Sequence, residues 1–236
     1  MLKVPCHSNS ECPWADVVEL IPLSHRSFIS GSFATWMAER ALVSSTPLWT
    51  PNDIDVFVCL PLIEFNTLVQ SFVTSISRAP VAMGDFRVIL RRTDMINVVL
   101  HNCSVSFIKC CAGSTAFDVV SDFDIDICTP IVVREGGALC VHMTPSVAES
   151  ITDLKMHCHV RKRQPRFMQY PLQRSLNRIR KYVSRGYSFA SLTFHSTTHI
   201  DFPDRDAESS LFVDDFLHVP SPSMNCSCVV IETMDD

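Results

Sequence analysis

One glycine-serine pair and three aspartates are the residues best placed to do chemistry in this sequence. Asp53 and Asp55 stand two residues apart at the start of an apolar run that ends at residue 60. Gly31 and Ser32 precede them, between a short apolar segment and a helical pattern, and Asp124 follows in a later apolar run. The order of these positions, rather than any one of them, indicates a site.

Two carboxylates at positions i and i+2 of a strand point to the same face of the sheet, so Asp53 and Asp55 are predicted to lie side by side. Burying such a pair without a counter-charge is costly. A magnesium ion offsets that cost, because it prefers oxygen ligands and keeps substrate phosphates in its shell. With Asp124 as a third ligand, two ions would lie roughly 3.5–4 Å apart. Gly31 allows close approach of a phosphate, and Ser32 and the following helix N-terminus supply donors.

These motifs resemble those of the polymerase-β-like nucleotidyltransferase superfamily, which has a Gly-Ser turn, an Asp-x-Asp strand and a third Asp on a later strand. They are more similar still to an uncharacterised group of that superfamily found in large viruses and protists. The resemblance covers about residues 15 to 190. The matching segments are Gly31-Ser32-Phe33-Ala34, Pro51-Asn52-Asp53-Ile54-Asp55, Phe123-Asp124 and Arg178-Ile179-Arg180-Lys181-Tyr182-Val183-Ser184-Arg185-Gly186-Tyr187.

The resemblance implies an enzyme that moves a nucleoside monophosphate from a nucleoside triphosphate to an acceptor hydroxyl. RNA or protein is the implied acceptor, and two magnesium ions, with manganese as the alternative, are the implied cofactors. The implied roles are metal binding and catalysis for Asp53, Asp55 and Asp124, and nucleotide binding for Gly31, Ser32, Arg178 and Lys181.

One position departs from the family pattern, which usually has a small residue two places after the third Asp. This chain has Asp126 there. On a strand Asp124 and Asp126 would share a face, so Asp126 stays open as an alternative metal ligand, and the motif alignment favours Asp124.

The elements predicted around these residues mix strands and helices. Strand patterns cover residues 27–30, 54–60, 86–91, 95–100, 123–133 and 138–142, and helical patterns cover 16–21, 33–43, 63–77 and 172–183, with 107–120 ambiguous. This mixture favours the α/β (α+β) class, here a minimal nucleotidyltransferase fold with a mixed β-sheet flanked by helices. We predict a core over residues 1–150, a basic helical segment over 151–200 packed on it, and an acidic, partly disordered tail over 201–236.

The amino-acid composition excludes several classes of protein. With 236 residues, 47% of them hydrophobic and a net charge of −5, the chain is too apolar for wholesale disorder. It has no apolar run of the roughly 18 residues that a membrane span requires. The first residues lack the apolar run of a secretory signal. Most of the eleven cysteines lie in apolar runs, which is typical of reduced thiols, so we expect an intracellular, cytoplasmic protein with no membrane partner.

Half of the basic residues fall within one short segment. Residues 155–187 contain ten of the twenty Lys and Arg residues and no Asp or Glu. Concentrated positive charge favours an anionic ligand such as a triphosphate or a nucleic acid. The alternative function is therefore a catalytically inactive module of the same fold that binds RNA or a protein partner through this segment. The sequence leaves base preference, acceptor and oligomeric state open.

Overall fold

The computed structural model describes residues 1–5, 14–43, 47–79, 86–92, 94–101, 103–162, 169–196 and 231–233. The chain divides into two compact units, each assembled from separate stretches of sequence. The first unit contains Met1–His7, Ile29–Pro51 and Ala116–Ile200, and the second contains Ser8–Phe28, Asn52–Thr115 and Asp201–Asp236. The division into core, basic segment and tail stays a prediction, and the tail lies outside the described residues except for residues 231–233.

The chain is an α+β protein with a mixed sheet flanked by helices, which confirms the predicted fold class. The strands are β1 (Leu2–Pro5), β2 (Ser27–Ser30), β3 (Asp53–Val58), β4 (Arg87–Arg92), β5 (Met95–Val99), β6 (Ser104–Lys109), β7 (Ile131–Glu135), β8 (Ala138–Met143), β9 (Lys155–Lys162), β10 (Ser188–Ser196) and β11 (Ile231–Thr233). The helices are α1 (Ala15–Leu20), α2 (Ser32–Leu42), α3 (Leu62–Arg78), α4 (Ala116–Val120), α5 (Pro145–Thr152) and α6 (Gln169–Val183), with a 3₁₀ turn at Asp126–Cys128.

In the first unit the strand order is β1-β8-β7-β2, and the neighbouring strands are antiparallel. Gly136 and Gly137, both with positive φ, close the hairpin between β7 and β8. Helix α2 packs against α5 and β8. Strands β9 and β10 form a separate parallel pair.

In the second unit the strand order is β3-β6-β5-β4-β11. Strand β3 is parallel to β6, β6 is antiparallel to β5, β5 is antiparallel to β4, and β4 is parallel to β11. One face of this sheet is apolar and is covered by α3, whose Phe72 ring lies 5.0 Å from that of Phe107 on β6. Burial of this face fixes the register, because a one-residue slip would turn its apolar side chains to the opposite face.

One sequence-based expectation needs correction, and two other segments can be described more fully. The strand predicted over residues 123–133 is wrong for residues 123–130, because β7 begins only at Ile131. Asp126 accepts a hydrogen bond from the Ile127 amide (2.8 Å) and begins the 3₁₀ turn, which ends extended structure there. The ambiguous stretch 107–120 contains the end of β6 and helix α4. The segment 151–200 contains β9 and β10 in addition to its basic helix.

Among the described residues, no helix combines the length and the apolar character that crossing a membrane demands.

Candidate active site

The two aspartates of β3 lie on one face of the second unit's sheet, as their spacing predicts. Ile54, Val56 and Val58 are fully buried on the opposite face, whereas Asp53 and Asp55 are half-buried. Strand β6 sets Ser104 opposite Asp53 and Ser106 opposite Asp55. A strand with an apolar face and a carboxylate face presents two adjacent negative charges without burying either completely.

Gly31 forms the predicted turn between a strand and a helix in the first unit. Its φ of 75° and ψ of −146° lie in a region that glycine adopts at no steric cost and other residues avoid. The Gly31 amide donates to the Cys128 carbonyl (3.1 Å), and the Thr35 amide donates to the Gly31 carbonyl (3.0 Å). Ser32 follows as the first residue of α2 and is almost fully buried. The Gly31 amide is therefore already engaged, and any anion at this turn meets the amides that follow it.

The third predicted ligand, Asp124, is held by helix α6 of the same unit. Arg178 Nη1 lies 2.7 Å from both carboxylate oxygens, and the Ser175 hydroxyl donates to one of them. The Asp124 side chain is 15% exposed and that of Arg178 is 52% exposed. The structure thus brings together two predicted site residues, a metal ligand and a nucleotide-binding cation, as an ion pair. The role of Asp124 as a metal ligand stays a prediction.

Asp126 has a different position from the one expected. Because the segment is not a strand, Asp124 and Asp126 do not share a sheet face. The Asp126 carboxylate accepts hydrogen bonds from three groups: the amides of Ile127 (2.8 Å) and His157 (2.7 Å) and the hydroxyl of Ser150 (2.9 Å). It thereby ties the 3₁₀ turn to β9 and α5. We infer that its main role is structural.

Helix α6 ends in a cap built from the motif residues around Gly186. The Tyr187 amide donates to the Tyr182 carbonyl (3.1 Å) and the Gly186 amide to that of Val183 (3.0 Å), with Gly186 at a φ of 94°. This is the Schellman arrangement, in which a left-handed residue closes the helix and residues on either side of it make an apolar contact. The Tyr182 and Tyr187 rings supply that contact edge to face at 5.6 Å.

Tyr187 also hydrogen-bonds to a buried carboxylate, Glu39, which the sequence analysis did not identify as a candidate. Tyr187 Oη (3.0 Å) and Trp49 Nε1 (3.1 Å) both donate to Oε2 of Glu39 in α2, and the Arg185 guanidinium lies 3.7 Å from the Trp49 ring centre. Burial raises the pKa of Glu39, and the hydrogen bonds from Tyr187 and Trp49 and the charge of Arg185 lower it in part. At the end of the basic motif, the side chains of Arg185 and Tyr187 are therefore engaged in contacts within the protein.

Lys181 lies half-buried in the last turn of α6. It already has an interaction within the structure, so its predicted contact with a nucleotide stays a prediction.

The next question is which side chains could act as ligands for a metal ion. Within the part of the chain that the structure describes, no group of three or more His, Cys, Asp or Glu side chains is arranged to hold a metal ion. The pair Asp53 and Asp55 fits magnesium in its chemistry, because carboxylate oxygens are the ligands this ion prefers and water and phosphate complete its shell.

Comparison with known proteins supports the fold. No protein-family model matches the sequence, and no curated protein matches it. Among solved structures, the chain is similar to the Thermotoga maritima CCA-adding enzyme complexed with tRNA, with a TM-score of 0.51 and 10% sequence identity. The match covers 80% of this chain and 43% of the other, so this chain spans less than half of the enzyme it matches. At this identity the likeness shows the fold alone.

Proposed function

We propose that the chain is a nucleotidyltransferase that moves a nucleoside monophosphate from a nucleoside triphosphate to an acceptor hydroxyl. The observation that carries this proposal is the pair Asp53 and Asp55, side by side on the half-buried face of β3. The likeness of the fold to a CCA-adding enzyme supports it. So does the position of Gly31 between β2 and the N-terminus of α2, because a helix N-terminus favours an anion.

Asp53 and Asp55 would hold two divalent cations, magnesium or manganese, by their carboxylate oxygens. Such ions supply charge neutralisation to a triphosphate and activate an acceptor hydroxyl for in-line attack on the α-phosphorus. The chain's own part is to place the carboxylates: β3 holds both on one face, and burial of Ile54 and Val56 on the opposite face fixes that orientation of the strand. Gly31 would let the β- and γ-phosphates approach the backbone closely, and Ser32 would bind them.

Asp124 is proposed as the third ligand, with a condition set by the structure. Its carboxylate bonds to Arg178 and Ser175, so a cation can bind there only if the Arg178 side chain moves away. The Arg178 side chain is half exposed, so it has room to do so. Released from Asp124, Arg178 would be free to bind the leaving pyrophosphate, with Lys181 beside it on α6.

RNA or protein is the proposed acceptor. The solved enzyme with the similar fold is complexed with tRNA, and the basic residues concentrated between 155 and 187 favour a polyanion. Of these, Arg180 is exposed on α6, and it is the better candidate for acceptor contact than Arg185, which packs on Trp49.

The test is an incubation of the protein with each labelled nucleoside triphosphate, magnesium and a panel of RNA and protein acceptors. Asp55→Asn removes one charge and almost no volume, so transfer should fall at least about 100-fold, as expected when a group that stabilises the transition state is lost. Asp16→Asn, an exposed aspartate of α1, is the matched control and should transfer as the parent does.

Transfer that persists undiminished in Asp55→Asn would overturn the proposal. Absence of transfer in the parent, together with salt-sensitive RNA binding that Arg180→Gln and Lys181→Gln abolish, would favour the inactive binding module instead.

A further inference from the structure

A row of polar side chains crosses the sheet of the second unit next to the two aspartates. Register pairs Asp55 of β3 with Ser106 of β6, and Ser106 with Asn97 of β5. Paired residues of neighbouring strands point to the same face. We call these three residues the polar row. Their neighbours along each strand point to the opposite, apolar face, where Val105 and Phe107 are fully buried.

Asn97 has the least satisfied environment in this row. Its side chain is 5% exposed, and its Oδ1 atom is buried with no hydrogen-bond partner in the structure. Ser106 beside it is also 5% exposed. A buried amide oxygen without a donor destabilises the folded protein, and natural proteins rarely keep one. An apolar residue would suit this position better if folding were its only role. Because Asn97 also lies in register with Ser106 and Asp55, it points to a ligand that supplies the missing donor.

The hydrogen-bonding groups and the charge of the polar row determine which class of ligand can bind there. A single cation cannot bridge it, because Asp55 and Asn97 are two strands apart, roughly 10 Å between backbones at the usual strand spacing. A phosphate is disfavoured by the adjacent carboxylate. Neighbouring hydroxyl groups fit, because Asp55 and Asn97 Oδ1 accept hydrogen bonds, and Ser106 both donates and accepts them. A sugar carries such hydroxyls.

The position of the polar row next to Asp53 and Asp55 indicates that this sugar is the ribose of a nucleotide. This step rests on the proposed function. If Asp53 and Asp55 hold the cations that bind the phosphates of a nucleotide, its sugar is the next group along the molecule. Ser106 and Asn97 extend sideways from Asp55, at the distance of the first and second neighbouring strands.

We propose that Asn97 and Ser106 bind the ribose hydroxyls of the nucleoside triphosphate, with Asn97 Oδ1 accepting from one hydroxyl. The protein then selects ribonucleotides over their dideoxy counterparts. A site that hydrogen-bonds a hydroxyl rejects the analogue that lacks it, because the analogue leaves a buried polar group unpaired.

The experiment is a binding titration that varies the ligand hydroxyls and the protein residue together. ATP, GTP, CTP and UTP, each with magnesium, are compared with their 2′,3′-dideoxy forms. The parent should bind at least one ribonucleotide ten or more times more tightly than its dideoxy form. Asn97→Leu, close in shape to Asn, should lose most of this preference and keep only the part that Ser106 contributes. Its thermal unfolding midpoint should be higher than that of the parent, since an unpaired buried group is gone.

Asn66→Leu is the matched control. Asn66 lies on α3 of the same unit, and both of its amide atoms are also buried without a hydrogen-bond partner. This variant should keep the parent's preference for ribonucleotides. Ser106→Ala provides a second, smaller change on the polar row and should reduce the preference even if Asn97→Leu fails to fold.

The outcomes separate this inference from the function on which it rests. Equal binding of both nucleotide forms by the parent would overturn the ribose site and leave the nucleotidyltransferase proposal standing. A preference that survives in both polar-row variants would do the same. Failure of the parent to bind any nucleotide would overturn both.

Discussion

The hydrogen bond between Tyr187 and Glu39 allows a quantitative test of the packing around the end of α6. Tyr187→Phe removes one hydroxyl and leaves the ring in place. The Glu39 carboxylate, 7% exposed, then loses the donor at 3.0 Å and keeps Trp49 Nε1 at 3.1 Å. Hydrogen bonds to charged groups contribute about 1.5–3 kcal/mol to stability, so we expect a loss of that size at neutral pH.

Tyr182→Phe is the matched control. Tyr182 is as deeply buried as Tyr187, and its hydroxyl lies 3.2 Å from the Thr35 hydroxyl, a neutral partner. Neutral hydrogen bonds contribute about 0.5–1.5 kcal/mol, so this variant should lose less. Urea unfolding of the parent and both variants, followed by circular dichroism and tryptophan fluorescence, gives the comparison.

The pH dependence of the difference is the sharper part of the test. The pKa of Glu39 is raised by burial above its ordinary value of 4.5, and Tyr187 is one of the groups that lower it in part. A raised folded-state pKa means that stability is greatest below 4.5 and is lost as the pH rises through the folded-state value. Without Tyr187 that pKa rises further, so the variant should lose more stability over this window. A loss that equals that of Tyr182→Phe and does not change between about pH 4 and 8 would refute the reasoning.

Two further predictions concern the backbone that holds the site. Asp126→Ala leaves three donors without their acceptor, so it should lower the free energy of unfolding by about 3 kcal/mol in urea titrations. Asp122→Ala, at an exposed position, should lower that free energy far less. Equal losses in the two variants would contradict the structural role of Asp126. Gly186→Ala places a side chain at a φ of 94° in open space, so it should cost about 1–2 kcal/mol from backbone strain alone. Gly186→Asn, which tolerates the left-handed region, should cost less in thermal unfolding, and the reverse order would show that the cap depends on something else.

Local pattern was enough to predict the elements that carry most of the site. Asp53 and Asp55 alternate with apolar residues, so strand period and shared face followed directly. Gly31 between a strand pattern and a helical pattern located the turn. These features depend on neighbours within a few residues, which the sequence displays.

The remaining features depend on contacts that the sequence does not display. The apolar run after Asp124 suggested a strand, but Asp126 begins a 3₁₀ turn, and its carboxylate accepts hydrogen bonds from the Ile127 amide and from the distant amide of His157. Glu39 and Tyr187 meet across 148 positions of sequence. Asn97 and Ser106 became notable only through strand register, because neither residue type signals a site by itself.

The interleaving of the two units has a consequence for synthesis on the ribosome. Strand β1 pairs Leu2 with Met143 and Lys3 with His142, so β1 has no partner strand until β8 has been synthesised. The continuous stretch Asn52–Thr115 contains β3 to β6 and can pair earlier. Long-range strand pairing slows folding and leaves strand edges exposed meanwhile. We therefore expect nascent chains arrested near residue 115 to need chaperone protection of β1, whereas chains released beyond residue 143 do not.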